Sequence, residues 1–220
     1  MFTSKPRVDL SAVVEFDADG ALRETADTAA RHSRRRFLRN SGLAAGGIAV
    51  AGGMVPGSAL AATSKGDVAI LNFALTLEYL ESAFYASALK HAGLTGEFER
   101  FARLVHQHEM AHVEALRKAL GNAAIKRPAF AFGSAVTSKA SFTATSIALE
   151  DTGVQAYQGQ APFIKSNDVF KAAISIHPVE ARHAAWIRNL AGLGPAPAAF
   201  NPALTKSAVL AAVGATGFIK

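Results

Sequence analysis

Glu109-Met110-Ala111-His112 and Glu180-Ala181-Arg182-His183 are the stretches from which the architecture of this chain can be read. Upstream of each stands a glutamate followed seven residues later by a tyrosine, Glu78 with Tyr85 and Glu150 with Tyr157. The glutamates of a pair lie 31 residues apart in the first half and 30 in the second, so E-x6-Y followed by E-x-x-H occurs twice. Seven residues make two helical turns, which sets each tyrosine on the face of its glutamate. Three residues place Glu109 beside His112 and Glu180 beside His183.

The same faces are otherwise apolar: Leu71, Leu75, Val105, Leu116, Ile147 and Ile187 lie three to seven residues from the acids. A glutamate in an apolar stripe is costly to bury unless its charge is compensated. Four inward glutamates repel one another, and two histidines cannot neutralise them all. Two divalent cations balance four carboxylates, and the imidazoles add nitrogen ligands.

From Asp67 onward the apolar residues recur at steps of three and four, the helical period. Four helices are expected. The first runs from an N-cap at Asp67 to His91, before Gly93. The second runs from Thr95 to Gly121, with Glu97 and Glu99 in its first turn, where the helix dipole favours acids. The third runs from Ser141 to Gln158, ahead of Gly159. The fourth runs from Asn167 or Asp168 to Gly192, with Pro195 beyond. Short links make helices one and two, and three and four, antiparallel neighbours. The link between the pairs, residues 122–140, holds about twenty residues, which reach ~66 Å when extended. A 25-residue helix is only ~37 Å long, so the link can return along the whole bundle. Two antiparallel hairpins joined by one long crossover form an all-α, ferritin-like four-helix bundle. In such a hairpin, residues equidistant from the turn share a level. Gly93 centres Glu78 and Glu109, but Gly159 lies only nine residues after Glu150, which strains the second pairing.

The pattern resembles the ferritin-like di-metal carboxylate superfamily. The wording LNFALTLEYLESAFY (71–85) and VEARHAAW (179–186) is most similar to the desiccation-related ferritin-like domain family. The resemblance places a ferritin-like domain at 62–193. It implies Glu78, Glu109, His112, Glu150, Glu180 and His183 as ligands of two metal ions, with Glu109 and Glu180 bridging and Glu78 and Glu150 terminal. Tyr85 and Tyr157 would stand behind the ligands and orient carboxylates on the opposite helices. Glu81, one turn after Glu78, is either a seventh ligand or a bystander. His106 and His177, each three residues before a motif glutamate, either stand behind the ligands or are hydrogen-bonded core histidines. His91 and His108 read as surface groups.

The leader has its own logic. Ser33-Arg34-Arg35-Arg36-Phe37-Leu38-Arg39 precedes a stretch rich in Ala, Gly and Val, and Ala59-Leu60-Ala61 supplies small residues for a signal peptidase. This wording resembles a twin-arginine export signal, which implies a periplasmic or secreted protein. The competing reading is a basic patch beside a membrane anchor, for which the Gly- and Pro-containing stretch is poorly suited. Residues 1–61 are thus read as a disordered region plus signal, and residues 194–220, with Pro195, Pro197 and Pro202, as an extension with a short helix at 207–213.

The composition narrows the chemistry. The chain of 220 residues has no cysteine, which excludes disulfides, thiolate metal sites and a cysteine nucleophile. The net charge of +6 suggests nucleic acid at first. The first 61 residues hold 8 of the 23 basic and 6 of the 17 acidic groups, and the remaining basic residues are scattered, so no nucleic-acid partner is expected.

The expected cofactors are two metal ions, iron or manganese, with zinc as competitor. Twin-arginine export moves folded proteins, which would allow metal to be acquired before export. The expected function is peroxide or O2 handling, or Fe(II) oxidation, in oxidative or desiccation stress. No catalytic residue beyond the metal site and no organic cofactor is expected. The alternative is a non-enzymatic metal-binding or structural protein protecting the cell envelope. Iron storage in a cage is weaker, because the 8 glutamates after residue 61 are nearly used up at the site. Expected partners are the twin-arginine translocase, signal peptidase, an external electron donor and, for a homo-oligomer, further copies of the chain.

Overall fold

The computed structural model describes residues 64–220; the stretch read from sequence as an export signal lies outside the described residues. Four long helices form two hairpins, α1 (Lys65–His91) with α2 (Gly96–Leu120), and α3 (Lys139–Gln160) with α4 (Asn167–Leu190). The crossover between α2 and α3 contains two short 3-10 turns, Gly121–Ala123 and Gly133–Val136. A fifth helix, α5 (Lys206–Thr216), closes the described chain. Among the described residues no helix is long and apolar enough to cross a membrane.

Hydroxyl caps set where α1, α3, α4 and α5 begin, while Thr95 before α2 makes no such side-chain bond. Ser64, not Asp67, caps α1 by accepting from the Asp67 amide at 3.1 Å. Asp67 lies inside the first turn, fully buried, and its carboxylate accepts from the amides of Lys165 and Ser166 at 2.9 and 3.0 Å. It thereby ties the start of α1 to the α3–α4 link. Ser138 and Ser141 form a reciprocal capping box on α3, while Ser166 and Thr205 cap α4 and α5. Three of the expected glycine stops hold: Gly93, Gly121 and Gly192 have positive φ, the left-handed region that favours glycine.

Gly159 is different. Helix α3 runs through it to Gln160 and then tightens into a 3-10 turn, Ala161–Phe163. What requires glycine here is space. A Cβ at position 159 would lie 1.8 Å from the carbonyl oxygen of Leu204. The extension crosses α3 at this notch, with the Leu204 amide donating to the Gln155 carbonyl at 3.2 Å and Gln158 Nε2 donating to the Asn201 carbonyl at 2.9 Å. The longer α3 also moves the turn away from Glu150, so the second hairpin pairs its acids as the first does.

Two apolar clusters sit above and below the acids. One gathers Phe84 and Tyr85 of α1, Phe101 and Val105 of α2, Phe142 of α3, Ile187 of α4, and Val209 and Val213 of α5. The other gathers Leu71 and Leu75 of α1, Leu116 and Leu120 of α2, Tyr157 of α3, and Val169 and Ile176 of α4. Each buried side chain of this size contributes roughly 1.5–3 kcal/mol, enough for the two plugs to fix the level at which the glutamates face one another. The extension adds to this packing, and its last residues pair with the crossover through an antiparallel bridge between Phe130 and Ile219.

Candidate metal centre

Between the plugs the four helices bring Glu78, Glu109, Glu150 and Glu180 together, each fully buried. His112 Nδ1 lies 3.1 Å from Glu78 Oε2 and from Glu109 Oε2, and 3.2 Å from Glu180 Oε1. His183 Nδ1 lies 3.1 Å from Glu109 Oε1 and 3.3 Å from Glu150 Oε2. The six side chains form two overlapping sets: Glu78, Glu109, His112 and Glu180, and then Glu109, Glu150, Glu180 and His183. Each residue offers one ligand atom, and within a set these atoms lie within 4.8 Å of one another. Glu109 and Glu180 belong to both sets.

The tyrosines cross the bundle. Tyr157 of α3 donates to Glu78 Oε1 of α1 at 2.6 Å, and Tyr85 of α1 donates to Glu150 Oε1 of α3. Ser146 Oγ shares the Tyr85 hydroxyl at 2.5 Å. Each tyrosine therefore holds one oxygen of a carboxylate and leaves the other facing a histidine.

Protein groups alone leave this cluster electrostatically strained. Burial pushes Glu109 up to about 7, against the hydrogen bond from His112 and the nearby imidazole of His183. Burial and the neighbouring carboxylates, Glu109 and Glu78 foremost, raise Glu180 well above the usual range. Burial works against the ionised form of Glu78 too, yet the His112 charge and its hydrogen bond hold this acid below its ordinary value. Burial opposes the imidazolium of His183, but the carboxylates of Glu109 and Glu150 close to its Nδ1 raise it to about 10. His112 is likewise driven up, against its burial, by the Glu78 charge, its hydrogen bond to Glu109 and the nearby Glu180 carboxylate.

Protons alone leave orphans. Glu109 Oε1, Glu150 Oε2, both Glu180 oxygens and His183 Nδ1 are buried without a partner in hydrogen-bond geometry. Each such group costs about 1–3 kcal/mol, and more if charged. A donor set of carboxylate oxygens and imidazole nitrogens with lone pairs converging in this way fits divalent cations.

Glu81 is buried at the edge of the cluster, and burial with the charges of Glu180 and Glu150 raises its carboxyl well above the usual range. It occupies space that Gly153 leaves free: a Cβ there would lie 3.3 Å from Glu81 Oε1 and 3.2 Å from Glu180 Oε2. Glu81 is in neither four-residue set. His106 and His177 are also outside both sets. His106 turns toward the backbone of Ser82, and each ring keeps one buried nitrogen unpartnered.

One histidine corrects the sequence reading. His108 is not a free surface group; it is half-buried, with Nδ1 2.9 Å from His183 Nε2. The rings are 18° from parallel with centroids 5.1 Å apart, which suits an edge-to-edge N–H···N bond. Burial and the charges of His183 and His112 lower the basicity of His108, which suits it as the acceptor.

Two antiparallel helical hairpins closing on buried carboxylates and imidazoles define a ferritin-like bundle with a potential metal-binding centre. The chain belongs to the ferritin-like domain family, which it matches over residues 66–193. No curated protein matches the chain.

Proposed function

We propose that this chain is an exported ferritin-like protein that holds two iron or manganese ions and uses them on peroxide, O2 or Fe(II). The observation that carries the reading is the pair of buried four-residue sets sharing Glu109 and Glu180. Those two carboxylates would span both ions. Glu78 with His112, and Glu150 with His183, would complete one end each. Tyr157 and Tyr85 hold the outer oxygens of Glu78 and Glu150, so the inner oxygens stay aimed at the centre. When bound, two redox-active ions supply or accept one electron each. The apolar plugs cap the buried carboxylates from above and below, and Glu81 stands beside Glu180 as a fifth carboxylate.

The kinship suggested by residues 71–85 and 179–186 supports a role in desiccation or oxidative stress. Residues 33–61 support export by the twin-arginine route to the periplasm or beyond, which brings the translocase and signal peptidase in as partners.

The test is metal content of protein from its native compartment, followed by H2O2 consumption with Fe, Mn and Zn forms. Loss of peroxide without a reductant means disproportionation of two H2O2 to two H2O and O2. Loss only with an external donor means peroxidase action, two electrons and two protons per H2O2. Bound metal with no peroxide loss and no Fe(II) oxidation favours the non-enzymatic alternative. Native protein free of transition metal overturns the proposal.

A further inference from the structure

The internal repeat is not symmetric where it matters. A shift of 72 residues carries Glu78 onto Glu150 and Tyr85 onto Tyr157, and a shift of 71 carries Glu109 onto Glu180 and His112 onto His183. The shift of 71 also carries His108 onto Val179, whose side chain can accept no hydrogen bond. Only one of the two motif histidines therefore has an imidazole behind it.

The two histidines differ accordingly. His183 is 3% exposed and is gripped from both sides, its Nδ1 facing Glu109 and Glu150 and its Nε2 facing His108. His112 is 11% exposed, and among the described residues its hydrogen bonds run through Nδ1 alone. Its ring borders a cavity of about 200 Å³ between α2 and α4, walled by small side chains such as Ala111, Ala115 and Ala172. One end of the centre is closed and the other lies beside an opening.

We infer that the two cation positions are unequal: His108 locks the His183 ring and makes that end the tight one, while the His112 end exchanges through the α2–α4 cavity. The inference rests on the di-metal reading of the site. His108 acts as a positioning residue. By accepting from His183 Nε2–H it fixes the tautomer that presents the Nδ1 lone pair to the centre, and it removes ring rotation that would otherwise be lost on binding. Partners of this kind behind a ligand are worth roughly 10- to 100-fold in metal affinity. His112 has no such support, so its ring keeps its freedom.

The experiment is a titration of the metal-free full chain with Co(II), followed by calorimetry and by the visible absorption of the bound ion. Two steps at least tenfold apart are expected. His108→Ala should weaken the tighter step by roughly 10- to 100-fold and change its absorption bands, leaving the weaker step in place. His108→Gln, whose amide oxygen still accepts, should restore most of the loss, which simple damage to packing would not allow. Equal constants in the wild-type chain, or an unchanged tight step and spectrum in His108→Ala, overturn the inference and leave the di-metal reading standing. No Co(II) uptake at all overturns the di-metal reading, and this inference with it.

Discussion

Tyr157 on α3 and Glu78 on α1 are joined by a 2.6 Å hydrogen bond across the middle of the bundle, 79 residues apart in sequence. The bond holds a carboxylate that is fully buried. Tyr157→Phe removes the donor and leaves Glu78 Oε1 bare. A hydrogen bond to a charged group is worth about 1.5–3 kcal/mol, so the metal-free protein should lose about 2 kcal/mol in urea denaturation. An unchanged midpoint would mean that this bond does not hold Glu78 in place.

Glu78 and Glu81 are one turn apart and should respond unequally to neutralisation. Glu81 is held protonated by burial and by Glu180, whereas Glu78 is held ionised against its burial by His112. Glu81→Gln replaces a neutral acid by a neutral amide and should cost under about 1 kcal/mol, in line with a near-isosteric swap. Glu78→Gln leaves the buried imidazolium of His112 without its strongest partner and should cost about 3 kcal/mol or more. Denaturation of both metal-free variants at pH 7 decides, and similar losses would refute the assignment of charge.

The raised groups also set a pH dependence. Glu109 binds its proton up to about 7 when folded, above the ordinary carboxylate value, and His183 up to about 10, above the ordinary imidazole value. In both cases the folded state holds more protons than the unfolded one, so stability falls as pH rises. The Glu109 contribution is lost between about 4.5 and 7, and that of His183 between about 6.5 and 10. Metal-free protein should therefore melt at lower temperature at pH 9 than at pH 6, as a thermal series would show. Cations compete for the same sites, so metal uptake should release protons, measurable by calorimetry in buffers of different ionisation enthalpy.

Gly159 and Gly214 form a matched pair of tests. A Cβ at Gly159 would strike the Leu204 backbone, whereas one at Gly214, within α5, would meet nothing within 4 Å. Gly159→Ala should push the extension off α3, cost about 1–3 kcal/mol and expose residues 194–220 to limited proteolysis. Gly214→Ala should gain about 0.4–1 kcal/mol by restricting the unfolded chain. Equal protease resistance in both variants would show that the notch does not hold the extension.

The repeat made the bundle and the meeting of its six acids and histidines legible, because a side chain's face on a helix follows from sequence spacing alone. Gly159 misled for a physical reason. A glycine in a helix looks the same whether it ends the helix or admits another strand of chain, and Leu204, 45 residues on, is what decides. His108 misled for a related reason. One residue from Glu109 it points about 100° away on its own helix, and only the approach of α4 brings His183 to it. Asp67 looked like a cap because caps are read from local sequence, while its true partners are the amides of Lys165 and Ser166.

The bridge between Phe130 and Ile219 has a consequence for synthesis on the ribosome. The crossover that joins the two halves is stitched to a stretch of chain made about ninety residues later. Its fastening is a late and long-range event, of the kind that slows folding. The nascent chain must stay soluble, with the hairpins made but not yet clasped, until that stretch emerges.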